Sequence, residues 1–258
     1  MRSRDLPPIR PIENPAAYRA MVVAKETRFS AFMDATGLST GEPYMHAAIA
    51  NQSVDYAAPA ERSFFANVTA LDPLPLIAHF THWMDLARMR NDPHGSPIRR
   101  GPPMFNAYAN RSEGFATAFE EITMQAGLYD DVPHGRELVY IMLANRAARG
   151  LASLYVQANQ MNLAEAGQFH ASWTPRHWSD PKSKLVGFEQ LLYARQPGYG
   201  PSYIVGKMQL DRMIADASHA DDVAKRPFDM RGLIKRVMAA GIVPVALVEA
   251  EVVGEPPR

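Results

Sequence analysis

A chain of 258 residues with 47% hydrophobic side chains is long enough for one large or two small domains and a sizeable core. Lysine plus arginine and aspartate plus glutamate each total 27, so no net field draws it to nucleic acid or an anionic membrane. Cysteine is absent, which excludes disulfides, a thiolate nucleophile and cysteine-ligated zinc and leaves His, Asp and Glu to hold any metal.

Arg2 and Arg4 open the chain, but Pro7, Pro8, Pro11 and Pro15 stand where a signal peptide needs an apolar run. No apolar stretch approaches the roughly 20 residues of a membrane span. The expectation is a soluble, cytoplasmic bacterial protein, with residues 1–16 as an extended Pro-rich arm and 17–258 as one mostly α domain. Residues 17–34 read as a helix and 36–59 as loop. Residues 74–91 read as one unbroken helix, with apolar positions 76, 77, 80, 83, 84 and 87 on one face. The prolines and glycines of 92–103 mark a loop, a candidate lid or cleft wall. Asn110-x-x-Glu113 fits a capping box opening a helix that stops at Gly127. Residues 136–159 form a long apolar helical run. Asn162-x-x-Glu165 is a second capping box, 175–184 a loop and 185–195 a helix. A Pro/Gly turn over 196–202 leads into a helix over 203–217. Residues 228–240 close the helical series, and Gly241-Ile-Val-Pro244 turns into an apolar tail.

The chemistry-bearing residues lie in three segments: AHFTHWMD over 78–85, SEGFATAFEE over 112–121 and RAARG over 146–150. A zinc hydrolase built on a helical His pair places Glu directly after the first His, where it deprotonates the metal-bound water. Phe80 occupies that position, and a phenyl ring takes no proton.

Together these segments resemble the bacterial domain-of-unknown-function 885 family, which is metallopeptidase-like and α-helical. Its members are typically about twice this length, and the likeness, from about Tyr18 to Val248, is to their C-terminal catalytic half. The family's His-Glu-x-x-Pro-Gly-His falls on His79 to Asp85, with Trp83-Met84 in place of Pro-Gly. Its Glu-Gly-Trp-Ala-x-Tyr-x-Glu falls on Glu113 to Glu120, and its Arg-Ala-x-Arg on Arg146 to Arg149. A later Asp and His of that helix are Ser153 and Gln157 here. The Pro-Gly-Gln-Ala-x-x-Tyr-x-x-Gly turn is Pro197 to Gly206. Phe228-Asp229-Met230-Arg231 and Gly241 to Pro244 match the closing helix and turn.

The resemblance implies a divalent metal (Zn, Mn or Fe) on His79, Asp85 and Glu113. One imidazole with two carboxylates is a harder set than the usual one and favours Mn, Fe or Mg relative to Zn. Residues six apart on an unbroken helix lie too far apart to share an ion, so a set using His79, His82 and Glu113 competes. His82, Glu120 and Tyr203 are the candidate proton-transfer groups. Arg149 and Tyr199 are the candidate substrate contacts, Arg149 pairing either with Glu120 or with a substrate carboxylate.

Each residue also has an ordinary role open to it: His79 and His82 on the helix surface, Asp85 in solvent, Glu113 closing its capping box, the tyrosines in packing. Three functions are therefore weighed. The first is a metal-dependent lyase, dehydratase or isomerase of a small molecule. The others are an inactive pseudopeptidase that binds a ligand or protein, and a hydrolase with a relocated base. A homodimer is expected, with neither nucleic acid nor membrane as partner.

Overall fold

The computed structural model describes residues 9–39, 41–50, 52, 54–101 and 109–254. Twelve α-helices and no strand occur among them. Helix α1 (Pro15–Thr36) opens where Asn14 accepts the Ala17 N–H and closes on Gly37 at φ 71°. Helices α2 (Pro43–Ala50) and α3 (Phe64–Leu71) follow, then α4 (Leu74–His79), α5 (Thr81–Asn91) and α6 (Ala109–Gln125). Next come α7 (Gly135–Gln157), α8 (Leu163–Trp173), α9 (Lys184–Arg195), α10 (Tyr199–Val223), α11 (Met230–Ala239) and α12 (Val245–Val252). None of these helices is long and apolar enough to cross a membrane.

The single helical domain is organised around α6, α7 and α10, with α10 lying along both of the others and α8 covering α7. Gly114 and Gly206 explain how α6 and α10 come so close. A Cβ on Gly206 would stand 2.0 Å from the Asn110 carbonyl oxygen, and one on Gly114 would stand 2.5 Å from the Gly206 backbone. The two helices therefore touch backbone to backbone, which only glycine permits. Phe115, Phe119, Leu210 and Met213 fill the seam beside this contact, joined by Leu74 and Ile77 of α4. Each such buried side chain contributes about 1.5–3 kcal/mol of transfer free energy.

Several expectations are corrected here. The segment expected as loop over 36–59 contains α2, whose Met45 and Ile49 are buried against α1 and α5. Helix α10 begins four residues earlier than its Pro/Gly turn suggested, at Tyr199, because Gly198 at φ 85° completes the turn alone. The Asn110–Glu113 capping box does not form: the helix already runs at Ala109, and the Glu113 carboxylate points at other partners. The Asn162–Glu165 box is present in full. Residues 1–8 of the Pro-rich arm and 102–108 of the expected lid or cleft wall lie outside the described residues. Residues 9–14 carry no regular structure and are held by side chains and backbone of the following helices, Ile12 N–H donating to the Ala70 carbonyl at 2.8 Å.

The correction that matters most for the site lies at Phe80. The helix expected over 74–91 is broken there into α4 and α5, although neither proline nor glycine stands at the break, Pro75 lying in the first turn of α4. Side chains cause the break. The Thr81 hydroxyl donates to the Ala78 carbonyl at 3.1 Å, and the His82 ring bonds the His79 carbonyl at 2.8 Å. Both side chains compete for carbonyls that a continuous helix would use, and Trp83 N–H turns to Phe80 at 2.9 Å in a tighter step.

Candidate metal centre

The break sets two histidines on consecutive helices facing α6. His79 ends α4, His82 sits in the first turn of α5, and their ring centroids are 5.1 Å apart. Glu113 reaches them from α6. Each of the three brings one ligand atom within 4.8 Å of the others, the only such group among the described residues. His79 Nε2 lies 3.5 Å from Glu113 Oε2. Two atoms bound tetrahedrally to one ion at about 2.0–2.1 Å stand about 3.3 Å apart, so this spacing fits a shared cation.

The outer contacts decide which atoms face inward. A backbone carbonyl only accepts, so the His82 Nδ1 on the His79 carbonyl carries the proton and Nε2 carries the lone pair. His79 Nδ1 stands 2.9 Å from Glu120 Oε1, an ion-pair distance with an alignment off that of a good hydrogen bond. Tyr199 donates its hydroxyl to Glu113 Oε1 at 2.6 Å, and Tyr203 reaches the Tyr199 hydroxyl at 3.4 Å. The Tyr203 ring stacks on His79 with centroids 6.0 Å apart and receives the Arg149 guanidinium on its face at 4.6 Å.

Burial governs the protonation states. It holds the His82 imidazole down to about 4, with the neighbouring His79 as the second cause, so His82 is neutral at pH 7. Burial works against the charge of Glu113 as well, but His79, then His82 and the Tyr199 hydroxyl, outweigh it and hold that carboxyl at about 2. Glu120 is likewise opposed by burial yet kept low, chiefly by the Arg146 charge. Burial, then the Glu113 charge, push Tyr203 up to about 12 and Tyr199 higher still, so both remain phenols.

Charges around the centre do not balance without a further cation. Arg146 donates to Glu120 at 2.5 Å and Arg149 to Glu189 at 2.5 Å, all four side chains being buried. Glu113 remains, facing a histidine and a phenol. A buried carboxylate in that position calls for an ion or an imidazolium beside it.

Asp85, expected as a ligand, lies elsewhere. Both its oxygens accept from Arg111, at 2.8 and 2.9 Å, and Arg111 also donates to the Val237 carbonyl at 3.1 Å. Asp85 is 2% exposed and Arg111 fully buried, so the aspartate is neither solvated nor in the metal group. Arg149 is corrected in the same way: its carboxylate partner is Glu189 on α9, and the carboxylate beside the other arginine, Arg146, is Glu120. Gln157, where the resembled family has a histidine, donates to the Tyr193 carbonyl at 3.0 Å, away from the centre. Phe80 turns its ring onto the main core. Arg111 and Glu189 were not singled out from the sequence. Their signal was weak: a charged residue in each of two helices, with nothing local to distinguish a buried one from a solvated one.

No family model matches the chain, and no curated protein matches it. Among solved structures, it is similar to a putative lipoprotein from Colwellia psychrerythraea, with 16% identity and a TM-score of 0.59. The match covers 97% of this chain and 45% of that one. At that identity the likeness concerns the fold alone, and the chain spans less than half the length of the neighbour.

Proposed function

We propose that the chain is a metal-dependent enzyme acting on a small molecule, on a metallopeptidase-like scaffold of the domain-of-unknown-function 885 type that has given up peptide hydrolysis. The observation that carries this reading is the convergence of His79, His82 and Glu113, each tied from behind by a separate contact. Two imidazoles and one carboxylate suit zinc and ferrous iron better than manganese or magnesium, so zinc is the first candidate. When bound, such an ion supplies Lewis acidity toward a carbonyl, carboxylate or hydroxyl oxygen.

This chain's own residues then set what reactions remain. His82 holds its proton on the His79 carbonyl and would give its remaining lone pair to the ion, so it would not serve as a base. Glu120 is held between Arg146 and His79, and Phe80 faces the core. A hydrolase with a relocated base therefore finds no base among the residues expected to supply one. Tyr199 and Tyr203 are phenols at the rim of the centre, placed to donate a proton to a leaving oxygen. Elimination or dehydration needs no activated water. A phenol that has protonated the leaving oxygen becomes a phenolate, and that phenolate would take up the proton lost from carbon, restoring the phenol.

A pseudopeptidase that only binds is the second reading. The narrow access favours it, the side chains of His79 and Glu113 being only 10% and 11% exposed. Assaying zinc-loaded and chelated chain against a panel of small hydroxy and keto acids, with peptides alongside, separates the two. Zinc-dependent turnover of a small molecule with intact peptides is the expected result. Peptide cleavage would overturn the claim that peptide hydrolysis has been given up, and no turnover of any panel member would overturn the enzyme reading.

A further inference from the structure

We infer that Glu120, locked by Arg146, is a positioning residue that decides which nitrogen of His79 faces the metal centre. The inference deepens the reading above and rests on it. Glu120 lies seven residues after Glu113 on the same face of α6 and is 1% exposed. Its Oε2 accepts from Arg146 Nη1 at 2.5 Å, which fixes the carboxylate as an anion and sets its rotation. Its Oε1 has no hydrogen-bond donor, and the nearest ionic partner is His79 Nδ1 at 2.9 Å. An anionic oxygen at that distance favours the tautomer with the proton on Nδ1. The lone pair is then left on Nε2, 3.5 Å from Glu113 Oε2.

His79 is thus held at two points. Glu120 holds the ring, while the backbone carbonyl receives the His82 ring. The second contact couples the two histidines: the residue whose tautomer Glu120 sets also supplies the acceptor that sets the tautomer of His82. Arg146 acts one step further out, through Glu120, with its guanidinium also facing the Tyr203 ring at 5.8 Å. Neither Glu120 nor Arg146 needs to touch a substrate for this role.

Two measurements on the full chain test it. Long-range proton–nitrogen NMR of metal-free wild type reads the tautomer directly, and the proton is expected on Nδ1 of His79. A proton on Nε2 would overturn the inference. Zinc affinity, measured by competition with a chromophoric chelator, is expected to fall by about 10–100-fold in Glu120→Gln. Because that variant leaves Arg146 buried without its carboxylate, the paired change Glu120→Gln with Arg146→Met is the companion, removing both charges together. The pair should show the same loss of affinity and a mixed His79 tautomer. A folded double variant that binds zinc as tightly as wild type would reduce Glu120 to a structural ion-pair partner. A wild type that binds no zinc yet keeps the proton on Nδ1 would sink the metal reading while supporting the positioning role.

Discussion

Asp85 and Glu113 are both buried helix carboxylates within reach of the same helices, and they have opposite fates. Asp85 is matched by the fork of Arg111, two nearly equal hydrogen bonds that use both oxygens, with a carbonyl taking part of the guanidinium's remaining capacity. Glu113 receives one phenol and faces a histidine, with both guanidinia beyond it already committed to Glu120 and Glu189. The contrast teaches that burial of an acid is not by itself a sign of function. A saturated acid staples helices, whereas an acid with an open lone pair beside two imidazoles has room for a ligand.

Breaking the staple should cost the most. Arg111→Ala strands Asp85 without a partner and is expected to lower unfolding free energy by about 3–5 kcal/mol in chemical denaturation, while whatever folds still binds metal. Glu113→Gln should behave in the reverse manner. Its metal-free stability should stay near wild type, but the stabilisation conferred by zinc, about 2.7 kcal/mol at a hundredfold excess over Kd, should disappear from thermal melts. Equal losses in both variants would erase the distinction between the two acids.

Gly206→Ala sharpens the comparison without touching a charge. The added methyl must push α10 away from the Asn110 carbonyl, carrying Tyr199 away from Glu113. A destabilisation of about 1–3 kcal/mol is expected together with weaker zinc binding. Unchanged binding at reduced stability would show that Tyr199 does not need its present position.

The smallest effect comes from His170, outside the metal group, between Asn145 at 2.9 Å and Glu189 at 3.9 Å. Burial, then the Arg149 charge, hold its pKa down at about 4. The unfolded chain therefore takes up this proton near pH 6.5, before the folded one does. Stability is fully present above pH 6.5 and declines as pH falls to about 4, with a slope of up to about 1.4 kcal/mol per pH unit. Denaturation at pH 7, 5.5 and 4.5 should show a shallower decline in His170→Gln. Parallel declines would rule His170 out as the group responsible.

The legible part of the sequence was what is local. Helices α1, α6 and α9 were legible to within a few residues, Gly127 marking the end of α6 and the Asn162 capping box the start of α8, and His79, His82 and Glu113 were all recognisable as metal-capable. Helix α2 was hidden because its apolar run over 43–50 is short and is stabilised by packing on α1 and α5 rather than by periodicity. The break at Phe80 was hidden because it comes from two side chains bonding carbonyls, with no breaker residue to announce it. That break also removed the geometric ground for preferring either ligand set from spacing alone. The pairing of Asp85 with Arg111, and of Arg149 with Glu189, joins residues 26 and 40 positions apart, and no local pattern encodes such a match.

Elemental analysis of the chelator-treated, zinc-reloaded 258-residue chain, run beside His79→Ala, His82→Ala, Glu113→Gln and Asp85→Asn, tests the centre most directly. One equivalent of zinc is expected in wild type and in folded Asp85→Asn, and none in the other three variants. No zinc in wild type, or zinc lost on changing Asp85 and kept on changing His82, would contradict the site described for this protein.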